Sequence, residues 1–327
     1  MQAARAFSVV DSHTAGHPTR TITAGLPPLG GGSVLNQRNR FREKYDALRA
    51  VILHEPRGHA AMVAAVPVPS TVADQGLFFI SSYIYLDMCG HATIGYIATL
   101  AAMGALPADM ATRGMSIETP AGIIHVNGTF QDDRLTGVIL RNVPSYVGVL
   151  DGTCDAGDFG TINFDLVYGG IWYAIVDATK IALPFTIDSA AAWCRLGMTI
   201  KGAINAGRAG RAGGEAQASS VLFYEAVPGG AKHLVVLARN KFDRSPCGTG
   251  TSARLAQLAA RGELRASEHY RAENLMGVSF DACFAPHEAV DGVAAILPEV
   301  RGMAHITAFS TLVVEADDPL AAGFLPG

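Results

Sequence analysis

The sequence predicts an α+β protein built from two similar halves, and three observations carry that prediction. A segment around Cys89 recurs around Cys247, an offset of 158 residues in a chain of 327. Strand-like runs bounded by turn residues recur throughout, with few helices among them and no regular strand–helix alternation. Apolar residues make up 49 % of the chain and charged residues 17 %, which is enough to bury a sizeable core and excludes disorder. At roughly 100–200 residues per domain the length suits two domains or one large barrel, and the repeat favours two.

Taken in order, Ala6–Val10, Ala61–Val68 and Leu77–Ile80 read as strands, with a flexible turn at Gly30-Gly31-Gly32. Cys89 follows in a Gly-rich turn, and the next residues read as a helix with Thr93 as N-cap and Gly104 at its end. Ile123–Val126 and Leu135–Leu140 are the next strands. Asn142-Val143-Pro144-Ser145 then gives the expected domain boundary, so that residues 1–143 form the Cys89 half and 144–327 the Cys247 half. Trp172–Val176 and Leu234–Ala238 are strands, and the small, Gly-rich Ala203–Ala218 between them reads as a surface loop. A second cysteine turn and helix, with Thr251 as N-cap and Gly262 at its end, precede a final strand at His305–Val314.

The two cysteine segments align without a gap from Cys89–Leu106 to Cys247–Leu264, with nine identities in eighteen pairs. Alanines inflate the number, but the Cys-Gly, Thr, Leu and Gly identities do not depend on them. Each cysteine is placed just ahead of a helix N-terminus, where outward-facing N–H groups and the macrodipole favour negative charge. Such a place binds a carboxylate and lowers the pKa of a thiol. A free thiol near ~8.5 must drop by about 1.5 units to be half ionised at pH 7, about 2 kcal/mol. A helix terminus supplies roughly 0.3–2 kcal/mol, so only a favourable geometry suffices. Two thiolates in one site repel, so the pair would hold one thiolate and one thiol, a base and an acid.

Other classes find little support. The net charge is −4 with no basic run, which argues against a nucleic-acid partner. The N-terminus lacks an apolar signal region, and no stretch reaches ~18 apolar residues, so neither secretion nor a membrane partner is expected. Five cysteines, an odd number without a C-x-x-C pair, suggest free thiols in a cytoplasmic protein rather than disulfides or zinc. His13 and His17 lack helical spacing and a nearby acidic ligand, so no metal is expected there. Glu55-Pro56-Arg57-Gly58-His59 reads most simply as a turn with a structural ion pair.

Asp87-Met88-Cys89-Gly90-His91 and Asp243-Arg244-Ser245-Pro246-Cys247-Gly248-Thr249-Gly250-Thr251 resemble the two active-site motifs of the proline racemase family. The resemblance extends to His13-Thr14-Ala15-Gly16, Glu55–His59, Asn142–Ser145, Tyr168-Gly169-Gly170 and Asp318-Pro319. It implies a fold of the diaminopimelate-epimerase type, with two pseudo-symmetric domains, each a sheet wrapped around a central helix, and a site in the cleft between them. In that fold the C-terminal strand tends to return to the first domain. The implied reaction is cofactor-independent inversion at Cα of proline or 4-hydroxyproline, with Cys89 and Cys247 on opposite faces. Backbone N–H groups of Gly90, His91, Gly248 and Thr249 would bind the substrate carboxylate, and Asp243 and His91 would contact the ring nitrogen. A homodimer with a small imino acid as its substrate is the family expectation. His17 departs from the usual Glu, and Ala92 and Ile171-Trp172 differ from the common forms. Cysteine at both motif positions favours inversion, since 3-hydroxyproline dehydratases typically carry Thr where Cys247 stands. The competing readings are such a dehydratase, a thiol hydrolase using Cys89 with a histidine, and a catalytically silent imino-acid-binding protein.

Overall fold

The computed structural model describes residues 3–208, 217–239 and 241–326. The chain divides into two compact units, Met1–Leu140 with Gly302–Gly327, and Arg141–Arg301. The first begins with β1 (Ala3–Thr14), β2 (His17–Ala24), α1 (Val34–Tyr45), α2 (Ala47–Leu53), β3 (Val63–Val68) and β4 (Gln75–Ser81). It continues with β5 (Tyr85–Leu86), α3 (Gly90–Ala102), β6 (Met115–Thr119), β7 (Gly122–Gln131) and β8 (Arg134–Arg141). The second holds β9 (Ser145–Asp155), β10 (Thr161–Tyr168), β11 (Trp172–Asp177), α4 (Ala190–Arg208), β12 (Ser220–Val227) and β13 (Gly230–Ala238). It closes with β14 (Lys241–Asp243), α5 (Gly248–Arg261), β15 (Tyr270–Asn274), β16 (Ser279–Val290) and β17 (Val293–Gly302). A last strand, β18 (Ala304–Glu315), pairs antiparallel along almost the whole of β1. The division expected at 143/144 left room for the last residues to return to the first half, and the pairing of β18 with β1 groups Gly302–Gly327 with the first unit.

Within the second unit the pairing order is β9, β10, β11, β12, β13, β15, β16, β17. β17 then pairs back to β9 through Ala295 and Tyr146, so this sheet closes on itself and the ladder has no free end. The first unit runs β18, β1, β2, β3, β4, β6, β7. From β18 and from β9 the succession reads alike: antiparallel twice, parallel, antiparallel, parallel, antiparallel. Parallel neighbours need a crossover, and helices supply it. α1 and α2 bridge β2 to β3 as α4 bridges β11 to β12, and the cysteine-led helices bridge the second parallel pair in each unit. β18 thus fills in the first unit the place β9 fills in the second.

Two layers of apolar side chains flank each set of strands. Phe41 and Ile52 of α1 and α2 cluster with Ala64, Val66, Phe78 and Ile80, while Trp193, Ile200 and Ile204 of α4 cluster with Leu166, Val176 and Phe223. The cysteine-led helices are buried far more completely: every residue from Gly90 to Thr99, and from Gly248 to Leu258, is buried. α3 packs on β1, β2, β3 and β18, and α5 on β9, β10, β11 and β16. No helix among the described residues is long and apolar enough to cross a membrane.

The eight expected strands all lie at β1, β3, β4, β7, β8, β11, β13 and β18. Two local expectations fail. Thr93 and Thr251 are not N-caps: both helices start earlier, with the cysteines themselves as caps. The Thr93 and Thr251 N–H groups donate to the Cys89 and Cys247 carbonyls at 3.0 and 2.7 Å, so each threonine already sits within the first turn. Part of the loop expected at Ala203–Ala218 is helix, because buried Ile200 and Ile204 carry the apolar stripe of α4 through to Arg208. Residues 209–216 of that segment lie outside the described residues.

Candidate active site

In the first unit a short strand, β5, delivers the chain to Cys89, which caps α3 in extended conformation at φ −150° and is only 4 % exposed. Its Sγ lies 3.4 Å from His91 Nδ1 and 3.7 Å from Nε2. The hydroxyl of Thr14, at the end of β1, donates to the His91 carbonyl at 2.8 Å and ties the first turn of α3 to the sheet. His17 opens β2 and is fully buried. Its ring stands edge-on to that of His91, with centroids 4.3 Å apart at 71°. Cys89, Gly90, His91 and His17 therefore form one buried cluster at the head of α3.

In the second unit a corresponding cluster is built from β14, the turn after it and α5. Asp243 ends β14, and one of its oxygens accepts from the Ser245 N–H at 2.8 Å and the Ser245 hydroxyl at 2.7 Å. The Ser245 oxygen in turn accepts from the Cys247 N–H at 3.1 Å. This chain of bonds holds Cys247 at φ +68°, a left-handed conformation unusual for a residue with a side chain. Cys247 Sγ accepts from the Gly250 N–H at 3.3 Å and lies 3.4 Å from the Tyr173 hydroxyl and 3.6 Å from Thr249 Oγ1. Tyr173 and Thr249 share a 2.6 Å hydrogen bond. Asp243, Cys247, Gly248 and Thr249 are thus brought together in this unit.

Gly169 shows how closely the sheet approaches α5. A Cβ there would lie 2.3 Å from the Thr249 carbonyl oxygen and 2.7 Å from the Ala253 nitrogen, both backbone atoms. Only glycine fits. The Asn142 amide donates to the Gly169 carbonyl at 2.9 Å and to the Ser252 hydroxyl at 3.0 Å, locking that approach.

The expected acidification of the thiol does not hold for Cys247. Burial, aided by the Asp243 carboxylate, pushes its pKa up to about 12 against the opposing hydrogen bonds from Tyr173, Thr249 and Gly250. Loss of hydration outweighs a single helix terminus when the sulfur is fully enclosed. Cys247 therefore rests as a thiol. Tyr173 is fully buried and is pushed further up from its usual value, so its hydroxyl keeps its proton and remains a donor. Cys194 packs in the apolar cluster of α4 with its thiol raised to about 11, and Cys154 and Cys283 are half-buried on β9 and β16. All five cysteines are free thiols.

Tyr173 and Ser245 were not among the residues singled out from the sequence. Ser245 lies inside the second cysteine motif and was accessible by position. Tyr173 is separated from Cys247 by 74 residues, and the packing of α5 on β11 brings the two together.

The family described as "Proline racemase" matches residues 9–325. The 4-hydroxyproline 2-epimerase of Streptosporangium roseum is 35 % identical over 99 % of this chain and 100 % of its own length. A proline racemase of Clostridioides difficile is 34 % identical over 99 % of each chain. Among solved structures, a hydroxyproline epimerase from Agrobacterium vitis with bound trans-4-hydroxy-L-proline superposes with a TM-score of 0.90 at 27 % identity, covering 100 % of this chain and 97 % of that one.

Proposed function

The chain belongs to the proline racemase family and is an isomerase, and on that premise we propose that it inverts Cα of proline or 4-hydroxyproline with one thiolate and one thiol. The observation that carries this reading is the matched placement of two buried cysteines. Each caps the helix that crosses the second parallel strand pair of its unit, and the two stand 158 residues apart. We further read the two units as diverged copies of one epimerase-type domain, on the strength of their common succession of strand pairings.

In this reading Cys89 and Cys247 serve opposite faces of Cα. One thiolate takes the Cα proton, the electron pair left behind delocalises into the carboxylate, and the other thiol delivers its proton to the opposite face. The thiolate and thiol have then exchanged roles, and the reverse enantiomer uses the reverse state. The high pKa of Cys247 suits it to be the resting acid, while Cys89, beside the His91 ring, suits the resting base. N–H groups of Gly90, His91, Gly248 and Thr249 face the growing carboxylate charge, where donors are worth most. Asp243 and His91 hold the ring nitrogen. The reaction needs no cofactor.

The test is chiral chromatography after incubation with L-proline, trans-4-hydroxy-L-proline and trans-3-hydroxy-L-proline in parallel. Inversion of one of the first two is expected. In deuterium oxide the inverted product should carry deuterium from the first turnovers, with little in recovered starting material, because the donor thiol has already exchanged with solvent. A ketimine from the 3-hydroxy compound with no inversion of the others would replace the proposal with a dehydratase.

A further inference from the structure

The strained turn at Cys247 is held from behind by groups that neither the motif nor the reaction includes. Pro246, one residue before the cysteine, points its carbonyl at His233 of β13, whose Nδ1 lies 3.1 Å away. On the other side of that ring, His233 Nε2 lies 2.9 Å from the hydroxyl of Tyr270 on β15. The positive charge of Arg254 on α5 favours the ionised form of Tyr270, but burial outweighs it.

A carbonyl oxygen only accepts, so Nδ1 must carry the imidazole proton. In the neutral ring Nε2 is then an acceptor, and Tyr270 must donate to it. Burial favours this state on both counts: it lowers His233 to about 4, leaving the ring uncharged near neutrality, and raises Tyr270 to about 12, keeping its proton in place. Both donors point the same way, from Tyr270 to His233 and from His233 to Pro246.

We propose that His233, oriented by Tyr270, is a positioning residue that fixes the Pro246 carbonyl and thereby holds Cys247 at its left-handed φ. At that φ the Cys247 Sγ meets the Gly250 N–H and the Tyr173 hydroxyl. Apart from His233, the Pro246 carbonyl is approached by the Thr251 hydroxyl at 3.5 Å, a long and weak contact. Without the imidazole donor that peptide is held only at its N–H, by Ser245, and the sulfur loses its fixed place over the helix terminus. The inference rests on Cys247 acting as a proton-transfer group.

Two measurements test it, and one needs no turnover. Long-range nitrogen–proton NMR at pH 7, with the His233 signal assigned by its loss in His233→Asn, should show the Nδ1–H tautomer. The Nε2–H tautomer would overturn the proposal. In imino-acid inversion, His233→Leu should lower kcat by ~10-fold or more with KM nearly unchanged, because substrate binding is left intact. His233→Asn, whose amide N–H can occupy the place of Nδ1–H, should recover most of that loss. A folded His233→Leu with kcat within about twofold of the parent, or no rescue by asparagine, also overturns it. If the parent protein inverts no imino acid, the functional reading fails by itself, and the tautomer alone decides whether this network exists.

Discussion

Thiols and hydroxyls of nearly the same shape differ greatly in acidity, and the proposed proton transfer between the two cysteines depends on that difference. Cys89→Ser and Cys247→Ser should each lower inversion by several orders of magnitude while circular dichroism stays unchanged; near-parental rates in either would remove the two-thiol mechanism. Cys194→Ser tests the opposite case. It puts a hydroxyl into the Trp193–Phe223 cluster and should cost about 1–3 kcal/mol in a denaturant titration with little change in kcat. The high pKa of Cys247 has its own signature. In the Cys89→Ser background, iodoacetamide should alkylate Cys247 at a rate still climbing at pH 10, and a plateau by pH 9 would contradict the buried thiol described here.

Helices with apparently similar sequences do different work in this fold, and glycine substitutions separate them. Gly169 abuts the backbone of α5, so Gly169→Ala must push the helix back. A loss of about 1–3 kcal/mol in stability together with a clear drop in kcat is expected. Gly202 lies in α4 with open space around its would-be Cβ, so Gly202→Ala should stabilise by up to about 1 kcal/mol and leave kcat alone. Thermal melts of both variants check the pair, and stabilisation by Gly169→Ala would mean that the approach to Thr249 is looser than described. The helices themselves were legible from Ala-rich segments ending at Gly104 and Gly262, both of which have positive φ. Their starts were not. A threonine four residues into the motif carries the same side chain whether it caps a helix or lies in its first turn, and only the backbone bonds to Cys89 and Cys247 tell these apart.

At the scale of the whole molecule, the C-terminal strand decides whether the first unit is complete. Removing residues 302–327 strips β1 of its long antiparallel partner, and also removes Asp318, which pairs with Arg57 at 3.2 Å. The shortened chain should lose amide-exchange protection through β1 and β2 while β9–β17 keep theirs; equal protection in both would show that β18 is dispensable. Acid stability follows from His233. Its folded pKa lies below the unfolded value of 6.5, so the unfolded state takes up the proton first as pH falls. The associated stability is fully present above about pH 6.5 and is lost towards pH 4, about 3 kcal/mol for a fully buried group. Urea titrations of the parent and His233→Asn should therefore draw closer in stability across that window, and parallel pH profiles would rule out the buried neutral imidazole.

The amino-acid sequence by itself determined the repeat around the two cysteines, the strand-rich α+β class, the two cysteine-led helices and the family, because each is written in local pattern or in a repeat of constant offset. The ion-pair reading of Glu55–His59 was also legible, and Arg57 makes that pair with Asp318. Tertiary structure alone decided the rest. Strand pairing is non-local, so only the fold could show the register in which β18 runs along β1, that Tyr173 reaches Cys247, and that His233 backs the turn before it. The protonation of Cys247 belongs to the same class. A helix N-terminus is visible in a sequence, but the completeness of burial that outweighs it depends on atoms contributed from β11, β14 and α5 together.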